Sequence, residues 1–441
     1  MFLVGIHEGK RLTWIVFPRL GTFIIMYQEC PVKHLLAWFL LLGLWMSLPG
    51  LPAALNRIDS KGCRTGSWTI YYDHQWNEVA DSTQAAFYRV VEFQAGQPVG
   101  MVRDFFRSGK VQFEGTLTSV SPDVFADGHV IYRFENGRTD AEGDYRNGLK
   151  EGLWEEWYDD GEPLSEGNYK QGKRIDQWKE WTASGDCSEG EYILDKQNGK
   201  WVTHYENGDL KLESLWKSGH EHGDWVLYYH HGMKRATGTY QNGAKTGHWI
   251  TWHPTGEKAT EGDYRNNQPD GAWATWFANG HPESSGKYAN GQRDGLWTFW
   301  RDNGSLREKS VYKTDKRNGI STLFNDKEIH VAEGTYTNGL REGLWTTWTD
   351  TGLKSSECEY ANDVRQGSWK AFDAEGHVST AGNYTKDAQS GTWTEYYTNG
   401  NPRATGTFNE GLKDGLWTFY NEQGAKQAEV TYRKGNIVNK E

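Results

Sequence analysis

The chain has 441 residues, of which 52 are Gly and 23 are Trp against only 5 Met, and its formal net charge is −11. Aromatic residues make up 14%, too many for a disordered chain, and the glycines follow no three-residue period, which excludes collagen. The acidic balance gives no electrostatic footprint for nucleic acid or for an anionic lipid surface.

Residues 1–54 form a leader. Residues 35–48 (LLAWFLLLGLWMSL) carry no charge, follow Lys33 and His34, and precede the segment PGLPAA. A basic flank, a short apolar core and a small-residue tail make a secretory signal peptide. The uncharged stretch is also long enough for an uncleaved anchor. The segment ahead of it suits translation from Met26 as well as from Met1. The leader predicts export to the periplasm, the cell surface or the medium. Four Cys, one of them in the leader, are too few for a disulfide framework.

Residues 55–140 carry degenerate repeats with insertions, around Trp68, Val102 and Val130. Over residues 141–429 the chain repeats itself twelve times with a period of 24, marked by Trp154, Trp178, Trp201, Trp225, Trp249, Trp273, Trp297, Trp345, Trp369, Trp393 and Trp417, with Ser321 in the remaining place. Gly precedes most of these by two residues and follows by seven, and a ring such as Tyr145 or Tyr240 stands nine residues before. Residues 430–441 begin one more half-repeat. In 237–256 (TGTYQNGAKTGHWITWHPTG) a first strand centres on Tyr240, Asn242-Gly243 opens a loop closed by Gly247, and a second strand holds Trp249 and Trp252. Asn-Gly is a strong hairpin signal because both residues tolerate positive φ. The pattern predicts an all-β protein, an elongated single-sheet antiparallel meander of tandem hairpins, roughly 140 Å long at the usual strand spacing.

The unit GxYxNGxxxGxWxxWxxxG resembles the MORN repeat in its bacterial variant form, from residue 63 to the C-terminus. The resemblance implies an extended twisted sheet that binds proteins or membranes. Some bacterial relatives carry the label antitoxin, YwqK-like, which implies immunity against a partner toxin. The family supplies no catalytic residues to carry over.

Sequence motifs for catalysis are missing: there is no Walker loop, GxSxG elbow, HExxH or paired CxxC. The expectation is a chain that is not an enzyme and takes no cofactor or metal. His220 and His222 fall at one turn and His230 and His231 near the opposite one, too far apart for a shared zinc. Cys358 occupies the small-residue place held by Gly334 and Gly382 in the flanking units.

Two rows of rings remain. Trp154, Trp249, Trp273, Trp297, Trp345 and Trp417 are expected to form the structural core of the repeats. Three residues later comes a second row, with Trp157, Trp181, Trp252, Trp276, Trp300 and Trp348 as the candidate binding surface. An odd spacing puts this row on the opposite face unless a bulge intervenes. A protein partner, a second copy of the chain and a polysaccharide are its candidate occupants, and only an uncleaved leader would touch a membrane. The leading function is an exported, non-enzymatic scaffold; the alternatives are a toxin-neutralising protein and a polysaccharide-binding surface. The unit of Ser321, which lacks the first Trp and has Ser310 and Glu328 in glycine places, is expected to be the weakest in the array.

Overall fold

A computed structural model of the chain describes residues 56–119 and 125–440; the leader and its 35–48 run lie outside the described residues. The chain divides into two compact units at Val130/Ile131. No helix among the described residues is long and apolar enough to cross a membrane.

In the first unit, strands Arg64–Tyr72, Phe87–Gln94, Gln97–Phe106 and Val111–Ser119 pair in that order, all antiparallel. Their inward face buries Ile70, Val91, Phe93, Val102, Phe113 and Leu117. One ion pair is buried with them: Arg89 Nε and Nη2 donate to the two carboxylate oxygens of Asp104 at 2.7 and 2.8 Å. This fork satisfies both carboxylate oxygens at once.

The second unit is the expected antiparallel meander of tandem hairpins. Strand Lys234–Gln241 pairs with Ala244–Trp252, which pairs with Lys258–Arg265, and so on through the array. Asn242 (φ 52°) and Gly243 (φ 80°) make a two-residue turn with both residues left-handed, the geometry whose twist matches the flanking strands. At the other end Gly256 N donates to the His253 carbonyl and His253 N to the Glu257 carbonyl, at 2.9 and 2.8 Å, which closes a short loop with Gly256 at φ 92°.

One sequence expectation is corrected. No loop runs from Asn242 to Gly247, because the second strand begins directly at Ala244. Gly247 instead sits within the strand at φ 62°. Thr239 pairs with Thr246 and Thr237 with Ile250, so Gly238 faces three residues of the second strand. This is a β-bulge, which bends the strand and increases its twist. Where the sequence has Asp176 in place of that glycine, the residue still adopts φ 60°.

Both turn edges tie each hairpin to the next. On the Asn-Gly edge, Gly243 N donates to the Glu221 carbonyl at 2.8 Å. On the other edge, the hydroxyls of Tyr158, Tyr205, Tyr229 and Tyr397 donate to the carbonyls of Trp181, Tyr228, Trp252 and Tyr420 at 2.8–2.9 Å, each 23 residues on.

Candidate binding faces of the hairpin array

The first row of tryptophans is built on glycine. A Cβ placed on Gly238 would lie 2.1 Å from the Trp249 ring, on Gly167 2.2 Å from Trp178, and on Gly406 2.3 Å from Trp417. The bulge supplies the geometry: it turns the indole back over the preceding strand of its own hairpin. There the indole N–H donates to a backbone carbonyl ten residues earlier, Trp154 to Asp144 at 2.9 Å and Trp417 to Thr407 at 3.1 Å. Trp154, Trp249, Trp297, Trp345 and Trp417 are buried, and Trp273 is half-buried. Between them stand the tyrosines of the first strands, edge to face: Tyr145, Trp154, Tyr169, Trp178, Tyr192 and Trp201 follow one another at centroid distances of 5.0, 6.3, 5.1, 5.9 and 5.1 Å. Such pairs contribute about 0.5–1.5 kcal/mol each beyond the area they bury.

Two exceptions show what the glycine does. Ser214 and Cys358 hold the glycine place for Trp225 and Trp369. Both rings are half-buried, and they tilt against the tryptophan of the next hairpin, Trp225 on Trp249 at 5.5 Å and Trp369 on Trp393 at 5.2 Å. Cys63, Cys187 and Cys358 are all free thiols.

In the unit without a tryptophan, Ser310 and Ser321 are fully buried. Their hydroxyls lie 2.6 Å apart, Ser310 also donates to Glu308 at 2.5 Å, and Arg317 Nη2 reaches the same carboxylate at 2.7 Å. Phe299 packs beside this network, stacked on Trp297 at 6.0 Å and buried. The missing indole is thus replaced by a satisfied polar cluster and a borrowed ring.

A row of cations caps the first face. Lys150 Nζ stands 3.9 Å from the centroid of Trp154 and 4.9 Å from Tyr169, Lys413 Nζ 3.8 Å from Trp417, and Arg341 Cζ 4.0 Å from Tyr360. Burial pushes the Lys245 ammonium below its usual range, against the pull of Glu221. Sequence reasoning missed this row, although its signal is present: Lys150, Arg174, Lys245, Arg293, Arg317, Arg341, Arg365 and Lys413 each stand four residues before the repeat position.

The second ring row lies on the opposite face. A second register shift lies between Phe299 and Trp300, but its extra residue, Arg307, belongs to the following strand, so alternation along the second strand is kept: Trp297 and Phe299 share one face and Trp300 takes the other. Trp157, Trp181, Trp252, Trp276, Trp300 and Trp348 are all half-buried. The gaps between these rings are occupied by side chains of the intervening strands. Lys258 pairs with Trp252 and sets its ammonium 5.4 Å from the Trp276 centroid. His330 stands 5.9 Å from Phe324 and 4.0 Å from Trp348.

The more open part of this face is a row that sequence reasoning passed over. The residue just before each first tryptophan is Leu153, Leu296, Ile320, Leu344 or Leu416 in several hairpins, 50–59% exposed. Leu296, Ile320 and Leu344 follow in consecutive units. At the corresponding place His248 is bracketed by carboxylates, Nδ1 3.0 Å from Asp263 and Nε2 3.1 Å from Glu261. His220 opens the strand His220–Tyr228, and His230 and His231 lie past its far end.

Comparison with known proteins gives the repeat its family. The model of the MORN repeat variant matches residues 150–171, 197–218, 293–314 and 389–410. Each window begins four residues before a first-row tryptophan, on the cation position or its Gln equivalent, and ends in the next Asn-Gly-type turn. No curated protein matches the chain. Among solved structures, the Photorhabdus luminescens Tc holotoxin pore aligns over 83% of this chain and 26% of its own, at 11% identity and a TM-score of 0.15. The four windows fall in phase with the 24-residue hairpins, so the chain carries MORN-variant repeats within a scaffold of tandem β-hairpins.

Proposed function

We propose that this scaffold is exported and non-catalytic, and that it binds a protein partner on the face opposite the first tryptophan row. The observation that carries the reading is the stripe of Leu296, Ile320 and Leu344, exposed by 57, 59 and 51% in consecutive hairpins. Trp300, Phe324 and Trp348 flank it on the same strands. A contiguous apolar stripe with rings at its margin is the composition of a protein-binding surface. Export rests on the uncharged run at 35–48 and its basic flank.

The test is capture of a partner from envelope extract by the mature body. Replacing Leu296, Ile320 and Leu344 with Lys is expected to abolish capture and leave the melting temperature unchanged. Capture that survives the triple substitution overturns the reading. Mass measurement of the mature N-terminus tests export: a cytosolic protein beginning at Met1 or Met26 refutes it.

A further inference from the structure

Four hairpins carry no cation at the place of the cation row, having Gln197, Glu221, Pro269 or Gln389 instead, and Pro269 is the shortest of these. In the hairpin of Trp273 the residue four places before the tryptophan is Pro269. In the hairpins on either side that position reaches over the rings: Lys245 Nζ lies 4.3 Å from the Trp249 centroid and Arg293 Cζ 4.9 Å from Trp297. A pyrrolidine ring cannot reach so far. A cavity of about 310 Å³ lies against Trp273 and Tyr288, lined also by Trp297 and Phe299. Trp273 sits on Gly262 as its neighbours sit on theirs, yet it is half-buried while Trp249 and Trp297 are 3% and 2% exposed.

Two guanidiniums border the cavity, Arg293 and Arg307. Elsewhere in the row the arginines bond carboxylates: Arg174 to Glu180, Arg341 to Asp363 and Arg365 to Asp387, each at 3.0 Å. Asp315 holds the equivalent place beside Arg293 but accepts from its backbone N–H at 2.8 Å. The Arg293 guanidinium turns over Trp297, Phe299 and Tyr312, and Arg307 stands 5.5 Å from the Phe299 centroid. Among the described residues neither guanidinium has a carboxylate partner. The one acid lining the cavity, Glu283, is exposed and bonds neither arginine.

We infer that this cavity is a binding site for an aryl carboxylate of about one ring. Trp273 and Tyr288 meet at 85° with centroids 5.8 Å apart, a corner that holds a flat ring by its face and its edge. The guanidiniums present planar forks that match a carboxylate in two-point contact. A second cation in the cavity would stand beside two unneutralised charges, whereas an anion neutralises them in a partly enclosed site where water screens less. The volume lies at the lower end of small-molecule sites.

The experiment is calorimetric titration of the full chain with phenylacetate. Saturable binding is expected, with phenylacetamide and acetate each weaker by about tenfold or more, since each loses either the charged hydrogen bonds or the ring contacts. Arg293→Gln and the exposed Arg307→Gln each weaken binding, Arg293→Gln by about tenfold. Pro269→Lys supplies the cation this hairpin lacks, closes the cavity and abolishes binding while adding positive charge. If Pro269→Lys, with its melting temperature unchanged, binds phenylacetate as well as or better than the parent, the attraction is diffuse charge and the site is refuted. Acetate binding as tightly as phenylacetate refutes the ring contact, and glucuronate binding more tightly refutes the aryl class.

Discussion

The indole of Trp249 lies against the α-carbon of Gly238, so closely that a methyl group there would stand 2.1 Å from the ring. This contact explains the spacing of the repeat. A bulge at Gly247 turns the tryptophan back over its own hairpin, and only a residue without a side chain leaves room beneath it. The indole N–H then reaches the Thr239 carbonyl at 3.3 Å, and Tyr240 and Tyr264 close against its two sides at 5.2 and 5.8 Å.

Gly238→Ala is therefore expected to destabilise the array by about 1–3 kcal/mol, the usual cost of overpacking a filled site. The indole should tilt toward the next hairpin, as Trp225 does over Ser214. Denaturant unfolding and loss of the Trp249 indole N–H protection in hydrogen exchange measure the two effects. An alanine that leaves both unchanged would contradict the seating.

The hairpin of Ser321 gives a second test. Its serines, Glu308 and Arg317 satisfy one another, but a polar cluster supplies none of the area that a buried indole does. Amide exchange is expected to be fastest over residues 308–332, because a defect in a nearest-neighbour array opens locally. Ser310→Gly with Ser321→Trp should restore the common arrangement and slow that exchange. Ser321→Trp alone should not, since the Ser310 Cβ occupies the seat. The two changes should be strongly non-additive, as neighbouring sites are. Uniform protection across the parent array would remove the premise.

The sequence carried the period, the turns and the strand order because those depend on local chemistry: positive φ at Asn242-Gly243, and rings spaced for one face or the other. A bulge glycine and a loop glycine share the same positive φ, so in sequence Gly247 looks like the end of a loop. The partner of each indole was not legible. Gly238 and Trp249 are eleven residues apart in sequence, and their contact depends on a bulge whose position periodicity alone does not fix. The cation row is masked in sequence because Lys and Arg at strand ends ordinarily signify solvent. Here their stems cross the rings and their charges rest on the faces of Trp154 and Tyr360.

His248 supplies a pH dependence. Hydrogen bonding to Asp263, aided by Glu261, raises its pKa above the usual histidine value, while partial burial works against the shift. A raised folded-state pKa contributes stability that is complete below the unfolded value and is lost as pH rises through the folded one. Glu261 works in the other sense: Lys258 and then His248 hold its pKa down, so its contribution is lost as the pH falls through that lowered value. The contact is strongest between these limits. His248 is more than half exposed, so solvent screening keeps the effect small. Ring-proton titration should show the raised pKa, and His248→Gln should flatten the fall in melting temperature above neutral pH. A His248 that titrates at the free-histidine value would contradict the bracketed geometry.

The two rows on the second face should respond differently to substitution. Trp252, Trp276 and Trp300 are half-buried, and Lys258 rests against Trp276 at 5.4 Å. Trp276→Ala is expected to cost about 1–2 kcal/mol, part of what burying a large side chain contributes, so loss of partner capture in that variant would be hard to separate from loss of fold. Leu296, Ile320 and Leu344 are more than half exposed, and polar substitution there should change stability by no more than about 0.5 kcal/mol each. Measuring melting and capture on both sets separates support from recognition. If the ring variants melt as the parent does and lose capture while the aliphatic variants retain it, recognition belongs to the rings. If the aliphatic variants alone lose capture with the fold intact, the partner reads the exposed stripe and the rings hold the sheet beneath it.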